Sequence, residues 1–236
     1  MAQAGGARPP TGTVEGSQTI EAMLLSFVAA YVDSCGFIGL FGLFSAHVTG
    51  NFVLIGAELV HPGGFGLVGK LLALPVFIAS VVLTVWLAHA LPSANRPRVT
   101  VLLWLEAMLL ALAAAVPLWL GRPARADDVA GLATGMILVA AMGLQNALMR
   151  IELPRMPPTT VMTGSVTQVT IDAVLLLDGA RADPQVSLRL RRMWPTVVAF
   201  AIGAACGAAC YAIADYWCLL MPAALCAWVG QRLGSA

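Results

Sequence analysis

Long apolar runs are the feature of this sequence that most constrains its fold. A helix needs about 20 predominantly apolar residues to cross the hydrocarbon core of a bilayer. Six segments reach or approach that length: 20–44, 67–91, 99–120, 129–149, 194–214 and 216–231. Hydrophobic residues make up 59% of the chain and charged residues 11%, which is more apolar side chain than a soluble globule of this size can bury. The sequence therefore predicts an all-α polytopic membrane protein.

Two further apolar stretches, 48–60 and 161–178, are too short or too polar to read as ordinary spans. They match each other, since Val48–Asn51 (VTGN) aligns with Met162–Ser165 (MTGS), and the same register places Glu58 on Asp172. We infer a duplicated unit, with repeats at about 20–120 and 129–231. If the short stretches dip into the membrane without crossing it, six spans result and the repeats are inverted. If they cross, there are eight spans and the repeats are parallel.

Basic residues indicate the orientation. With six spans, ten arginines lie on the side of the N-terminus and three basic residues on the other. The first set is Arg8, Arg96, Arg98, Arg150, Arg155, Arg181, Arg189, Arg191, Arg192 and Arg232, and the second is Lys70, Arg122 and Arg125. Cytoplasmic loops carry the excess of Lys and Arg, so we expect a cytoplasmic N-terminus. Residues 1–19 are polar and rich in Gly, Pro and Thr, and we expect them to form a disordered cytoplasmic tail before a single membrane domain at 20–231.

Asp33 is the ionisable residue placed deepest in the first predicted span. An intramembrane carboxylate is costly and usually faces a cavity or a partner, which favours a substrate or proton pathway over a packing role. His47 stands beside the first Thr-Gly pair and is a candidate proton carrier, although a lone histidine among apolar residues is more often structural. Glu58 and Asp172 are secondary candidates, because only the repeat singles them out.

The Thr-Gly pairs predict two helix breaks inside the membrane, at Thr49-Gly50-Asn51 and at Thr163-Gly164. Threonine and asparagine can cap a helix, and glycine permits a backbone break. Such a helix start would aim free N–H groups at an anionic or carbonyl group, as paired broken helices do in many transporters. The alternative is a tight turn between closely packed helices. Four polar neighbours would line the same cavity or bond neighbouring helices: Gln145, Asn146, Thr167 and Gln168.

The sequence motifs of several nucleotide-binding, metal-dependent and hydrolytic protein classes are absent from this chain. There is no Walker A sequence, HExxH pair, Rossmann glycine fingerprint or G-x-S-x-G elbow, so we expect no cofactor, no metal site and no catalytic residue of those classes. The five cysteines lie in apolar stretches and are expected to pack as small apolar residues. A net charge of +1 provides no basic field for a nucleic-acid partner.

Two long signatures resemble those of the YoaK family of bacterial inner-membrane proteins, a domain of unknown function. The first is YVDSCGFIGLFGLFSAHVTGNFVLIG, and the second is GLQNALMRIELPRMPPTTVMTGSVTQ. The chain departs from the family pattern at Ala30, where a glycine is usual, and at Ser165, where asparagine is usual. The resemblance implies a multi-pass protein of the bacterial cytoplasmic membrane, and it implies no substrate.

The leading functional hypothesis is a secondary transporter or permease for a small solute, with a midplane site at the two Thr-Gly breaks. One alternative is a membrane-embedded enzyme that acts on a lipid or isoprenoid. The other is a non-catalytic sensor or scaffold, in which polar residues only join helices. The expected partners are the lipid bilayer and an unknown small solute, and a homo-oligomer is left open.

Overall fold

The computed structural model describes residues 11–61, 63, 66–92, 97–178 and 183–235, with only the backbone of residues 11–17, 97 and 235. Every regular element within these ranges is helical, as the all-α prediction requires. The α-helices are α1 Thr11–Gly39, α2 Gly50–Val60, α3 Val68–Ala90, α4 Pro97–Leu120, α5 Val129–Ile151, α6 Met162–Leu177, α7 Pro184–Ala214 and α8 Leu220–Ser235. A short 3₁₀ helix, Asp215–Leu219, joins α7 to α8.

Five helical stretches in the described ranges are long and apolar enough to cross a membrane. They are Gln18–Gly39, Val68–Ala90, Arg98–Leu120, Val129–Ile151 and Pro184–Gly234. The last stretch contains α7, the 3₁₀ helix and α8, so the predicted spans 194–214 and 216–231 fall within one continuous helical stretch. The membrane character of the chain follows from these helices, whereas the number of crossings stays a prediction.

The first helix differs from the predicted span at both ends. It begins at Thr11, so residues 11–19 of the expected disordered tail are helical, and residues 1–10 lie outside the described residues. It ends at Gly39 rather than near residue 44. A Cβ on Gly39 would lie 2.7 Å from the Tyr211 hydroxyl oxygen, and Phe41 and Gly42 then adopt positive φ of 54° and 80°. This left-handed turn redirects the chain away from the axis of α1.

The two odd stretches of the sequence form the two short helices. Helix α2 has 11 residues and α6 has 16, which correspond to about 17 Å and about 24 Å of helix. Both are shorter than the hydrocarbon core of about 30 Å. Each follows an irregular segment after a long helix, residues 40–49 after α1 and residues 152–161 after α5.

Helix α1 packs along α7 with unusually close backbones. Gly203 and Gly207 of α7 face the backbone of Phe27 and Tyr31 of α1, and a Cβ on either glycine would fall well inside contact distance of a carbonyl oxygen. The spacing G-x-x-x-G places both glycines on one helix face, as in closely packed transmembrane pairs. The other main helix pairs are α3 with α5, α4 with α5 and α8, and α6 with α7.

The two ends of the bundle carry different ion pairs. At the end with the start of α4, Arg98 pairs with Glu152 at 3.5 Å, and Arg232 with Glu21 at 3.7 Å. At the opposite end, Arg122 pairs with Asp215 at 2.8 Å. Three of the arginines used to predict the orientation, Arg8, Arg96 and Arg181, lie outside the described residues.

Two neighbouring aspartates accept hydrogen bonds from the N-termini of two helices at the end of the bundle near Arg122. The Asp127 carboxylate accepts hydrogen bonds from the N–H groups of Leu67, Val68 and Gly69 at the start of α3, at 2.9, 3.2 and 3.0 Å. Asp128 caps its own helix, α5, by accepting from Gly131 N–H at 2.7 Å. Burial raises the pKa of Asp127, but the three N–H groups outweigh it and hold the pKa below its ordinary value.

We expect Gly207→Ala to destabilise the protein by about 1–3 kcal/mol, because its Cβ must push α7 away from the Tyr31 backbone. Thermal unfolding of the purified protein in detergent measures this. The matched control is Gly56→Ala on α2, where a Cβ meets nothing within 4 Å. Equal melting temperatures for the two variants would contradict the close approach of α1 and α7.

We expect Asp127→Asn to weaken the protein by about 1 kcal/mol at neutral pH, since the amide is a poorer acceptor for three N–H groups. A depressed carboxyl pKa contributes stability above the unfolded-state pKa, and the contribution is lost as the pH falls through the folded-state pKa. The difference between wild type and variant should therefore shrink below about pH 4. A difference that stays constant from pH 7 to pH 3 in thermal unfolding would refute this origin.

Candidate functional site

The Asp33 carboxylate holds the irregular segment 40–49 against the inner face of α1. Its Oδ1 accepts hydrogen bonds from Ser45 N–H at 2.7 Å, from Ala46 N–H at 2.8 Å and from the Ser45 hydroxyl at 3.2 Å. Its Oδ2 lies 2.7 Å from Nδ1 of His47. Asp33 is only 5% exposed, so its carboxyl group exchanges water for three protein donors and the His47 ring nitrogen.

Asn51 closes this segment from the other side. Its side chain accepts from Phe44 N–H at 3.0 Å and donates to the Phe44 carbonyl oxygen at 2.8 Å. Both backbone groups of Phe44 are thereby satisfied by one buried amide, away from any sheet or helix. Asn51 is a structural clamp for the loop, and it is not among the residues that line the cavity described below.

The His47 imidazole stands between aromatic rings, next to Asp33. Its ring centroid lies 5.5 Å from that of Phe200 on α7, edge to face, and 6.4 Å from that of Phe44. The histidine side chain is 35% exposed, whereas that of Asp33 is 7% exposed. This pair can therefore hold one proton between a buried carboxylate and an imidazole that reaches open space.

The second irregular segment, 152–161, is held by amides of α5. Gln145 donates to the Thr159 hydroxyl at 3.0 Å and to the Leu25 carbonyl oxygen of α1 at 2.9 Å. Asn146 accepts from the Thr160 hydroxyl at 2.5 Å. The Thr160 backbone lies close to the His47 imidazole. The two irregular segments therefore meet at His47, inside the bundle.

A cavity of about 520 Å³ lies beside this meeting point, between α1, α7 and the start of α2. Its polar groups are Asp33, Ser34 and His47. The remaining lining is apolar or small, and consists of Ala30, Phe37, Ile38, Phe44, Gly50, Phe200, Ala204 and Ala208. Such a volume with a few convergent polar groups is typical of sites for small molecules.

The expected helix caps are not formed. Thr49 precedes α2, but its side chain makes no cap hydrogen bond, and the residue before α6 is Val161 rather than a threonine. The first N–H groups of α2 are occupied as well, because Gly50, Asn51 and Phe52 donate to the carbonyl oxygens of His47, Val48 and Thr49. The prediction that free N–H groups of α2 face the site is therefore wrong, since the tight turn before the helix satisfies them.

The other predicted residues lie elsewhere. Thr163, Gly164 and Thr167 are exposed on α6, where the Thr167 hydroxyl donates to the Thr163 carbonyl oxygen at 2.9 Å. Gln168 donates to Asp172 at 2.8 Å, and Asp172 receives two hydrogen bonds from Arg189 of α7, at 2.7 and 2.5 Å.

Glu58, which the repeat aligned with Asp172, accepts instead from Gly63 N–H at 3.1 Å at the end of α2. The aligned carboxylates thus serve different local structures. Within the described residues, no three His, Cys, Asp or Glu side chains gather as metal ligands.

Ser45 and Thr159 were not predicted from the sequence, and neither was the face of α7 formed by Phe200, Ala204 and Ala208. The register of the predicted repeat aligns Ser45 with Thr159, so a hydroxyl recurs at the same position of both irregular segments. The α7 face carries no polar signal, so no pattern in the sequence distinguishes it from a packing surface.

Comparison with known proteins identifies the family but no characterised relative. A family model described as a protein of unknown function, DUF1275, matches residues 21–231. No curated protein matches the chain, and no solved structure does.

We expect Asn51→Ala to destabilise the protein by about 2 kcal/mol or more, because it leaves the N–H and the carbonyl of Phe44 without partners. The matched control is Ser165→Ala at the aligned position of α6. The Ser165 hydroxyl bonds the Val161 carbonyl oxygen at 3.1 Å, and that oxygen keeps its bond from Ser165 N–H. Thermal unfolding in detergent should separate the two variants, and a silent Asn51→Ala would refute the clamp.

Proposed function

The chain belongs to the DUF1275 family of proteins of unknown function, and from that premise we propose that it is a secondary transporter or permease for a small solute. The observation that carries the proposal is the Asp33–His47 pair at the wall of a cavity of about 520 Å³. A titratable pair inside a membrane protein, open to a cavity on one side, is the arrangement that couples proton movement to solute binding.

The course of the chain around the site supports the same proposal. In each half a long helix is followed by an irregular segment and then by a helix too short to span: α1 by α2, and α5 by α6. Interrupted helices in paired positions are a common means of building a midplane site in transporters. We accordingly propose that the halves are inverted repeats, about 20–120 and 129–231, with six crossings.

The same proposal includes the location and the site. We place the protein in the bacterial cytoplasmic membrane as a multi-pass protein with a cytoplasmic N-terminus, following the excess of arginine at one end. We assign solute or proton binding to Asp33 and His47, and positioning of the two irregular segments to Asn51, Gln145 and Asn146.

The lipid-active membrane enzyme remains the second candidate, and one observation favours it. The cavity has an apolar rim, where Ile38 is 50% exposed on the surface of the bundle. A site that opens sideways suits a substrate that arrives from the bilayer, whereas a site that opens to water suits a soluble solute.

Cysteine accessibility distinguishes these candidates. On a background without native cysteines, Ala204→Cys lines the cavity and Ile202→Cys, on the same helix, is 51% exposed elsewhere on the bundle. For the transporter we expect a membrane-impermeant thiol reagent to label Cys at 204 and to spare Cys at 202. Labelling of Cys at 204 by lipid-soluble reagents alone would favour the enzyme, and no labelling at all would refute an accessible cavity.

Transport itself is tested with proteoliposomes that enclose a pH-sensitive dye. Wild type is screened against panels of small solutes, and we expect at least one solute to move protons across the membrane. His47→Gln should reduce that flux at least tenfold, while Asp178→Asn, on the exposed end of α6, should leave it unchanged. A solute-driven proton flux that survives His47→Gln would refute the assigned pair.

A further inference from the structure

Among the residues that the structure describes, the central cavity is lined by one carboxylate and by no lysine or arginine. Asp33 supplies the carboxylate, and His47 adds a positive charge when its imidazole is protonated. The pair is then neutral, and it carries one negative charge when the imidazole is neutral. The charges that line the cavity therefore favour a monovalent cation and oppose an anion.

Three phenylalanine rings line the same cavity. The ring centroids of Phe37 and Phe44 lie 4.8 Å apart, and Phe200 contributes a third ring from α7, 5.5 Å from the His47 ring. The face of an aromatic ring attracts an organic ammonium group, and aromatic cages bind quaternary ammonium compounds in this way. The rings also provide apolar surface for the organic part of such a ligand.

The hydrogen-bonding capacity of the Asp33 carboxylate is already used largely by the protein. Its Oδ1 accepts from the N–H groups of Ser45 and Ala46 and from the Ser45 hydroxyl, and its Oδ2 lies 2.7 Å from the His47 ring. A sugar or another polyhydroxyl solute needs several convergent donors and acceptors, which this mostly apolar lining does not offer. A cation without N–H groups needs the charge and the rings alone.

We propose that the cavity binds a monovalent organic cation with an apolar part, of the aromatic quaternary ammonium class, in exchange for the proton of the Asp33–His47 pair. The inference rests on the proposed transport function, because it names the substrate class of the same site. When the cation enters, one N–H bond of the His47 imidazolium breaks and its proton passes to water. One positive charge thus faces the Asp33 carboxylate before and after the exchange.

The surroundings of His47 make Asp33 its titrating neighbour. The groups that face the imidazole are Asp33 of α1, the Phe44 ring, the Thr160 backbone and the Phe200 ring of α7. Of these groups the carboxyl alone gains or loses a proton, so the proton belongs to the pair. Cation binding and proton binding should therefore compete at one place.

Titration calorimetry of the intact purified chain in an uncharged detergent tests the ligand class. The probes are benzyltrimethylammonium as the cation, phenylacetamide as the neutral compound and phenylacetate as the anion. We expect the cation to bind about tenfold or more tightly than the other two. At mildly acidic pH, binding heats in buffers of different ionisation enthalpy should show the release of about one proton per cation. The affinity for the cation should then rise with pH through the titration of the pair.

Two phenylalanine variants separate the rings of the cavity from general apolar contact. Phe200→Leu should weaken binding of the cation about threefold to tenfold and change binding of phenylacetamide less, because it removes one ring from the cavity. The matched control is Phe52→Leu on α2, where the phenylalanine is 53% exposed and is not among the residues that line the cavity. It should bind the cation as wild type does. His47→Gln should bind the cation without releasing a proton.

The outcomes separate the ligand class from transport. Absence of cation binding, tighter binding of phenylacetate, binding without proton release in wild type, or equal affinities of the two phenylalanine variants would overturn the cation site. Transport would survive such a result if another solute drove proton flux that depends on His47. Binding of the cation with proton release, but without cation-driven proton flux in proteoliposomes, would support the cation site and overturn transport.

Discussion

The fold around the site depends on one buried carboxylate. Residues 40–49 form neither helix nor sheet within an apolar bundle, so their backbone groups need partners that water does not supply. Asp33 accepts the N–H groups of Ser45 and Ala46, and Asn51 satisfies both backbone groups of Phe44. Without these side chains the chain could not turn back beside α1, and His47 would have no fixed position. The same residues that make the interior polar are therefore those that make its irregular backbone possible.

Close packing of α1 on α7 supplies the rest of the geometry. Gly203 and Gly207 allow the two backbones to approach closely. Ala204 and Ala208, the residues that follow these glycines, line the cavity, and their small side chains leave it open. Phe200 then closes one side of the cavity against the His47 ring. Small residues thus have two roles on one helix, since on one face they bring helices together and on the adjacent face they leave space. Gln145 and Asn146 bring the second irregular segment to the same point.

Much of the helical architecture was predictable because each helix corresponds to a pattern of neighbouring residues in the sequence. The apolar runs locate every long helix, and the short runs with Thr-Gly pairs locate α2 and α6 to within two residues of their starts. The candidate site was predicted in part. Asp33, His47 and Gly50 line the cavity, whereas Thr163, Gly164 and Thr167 lie exposed on α6. The difference arises because Asn51 bonds across seven residues to Phe44, while Ser165 at the aligned position reaches only its own helix. A motif shared by two segments does not predict that each segment packs against the same neighbours.

The sequence by itself determined which stretches form the long helices and that these helices are apolar enough to cross a bilayer, because hydropathy is a property of consecutive residues. The ends of α1, α7 and α8 differ from the predicted boundaries. The sequence also identified Asp33 and His47 as polar residues among apolar ones, whose burial costs free energy unless other groups bond them. Only the tertiary structure decided that Asp33 bonds the segment twelve residues onward, that α7 rather than α2 closes the cavity, and that His47 meets Thr160 from the other half. Those contacts join residues far apart in the chain, and their partners are backbone groups and small apolar side chains. Neither leaves a pattern in sequence, since any residue has a backbone and alanine packs equally well in many places.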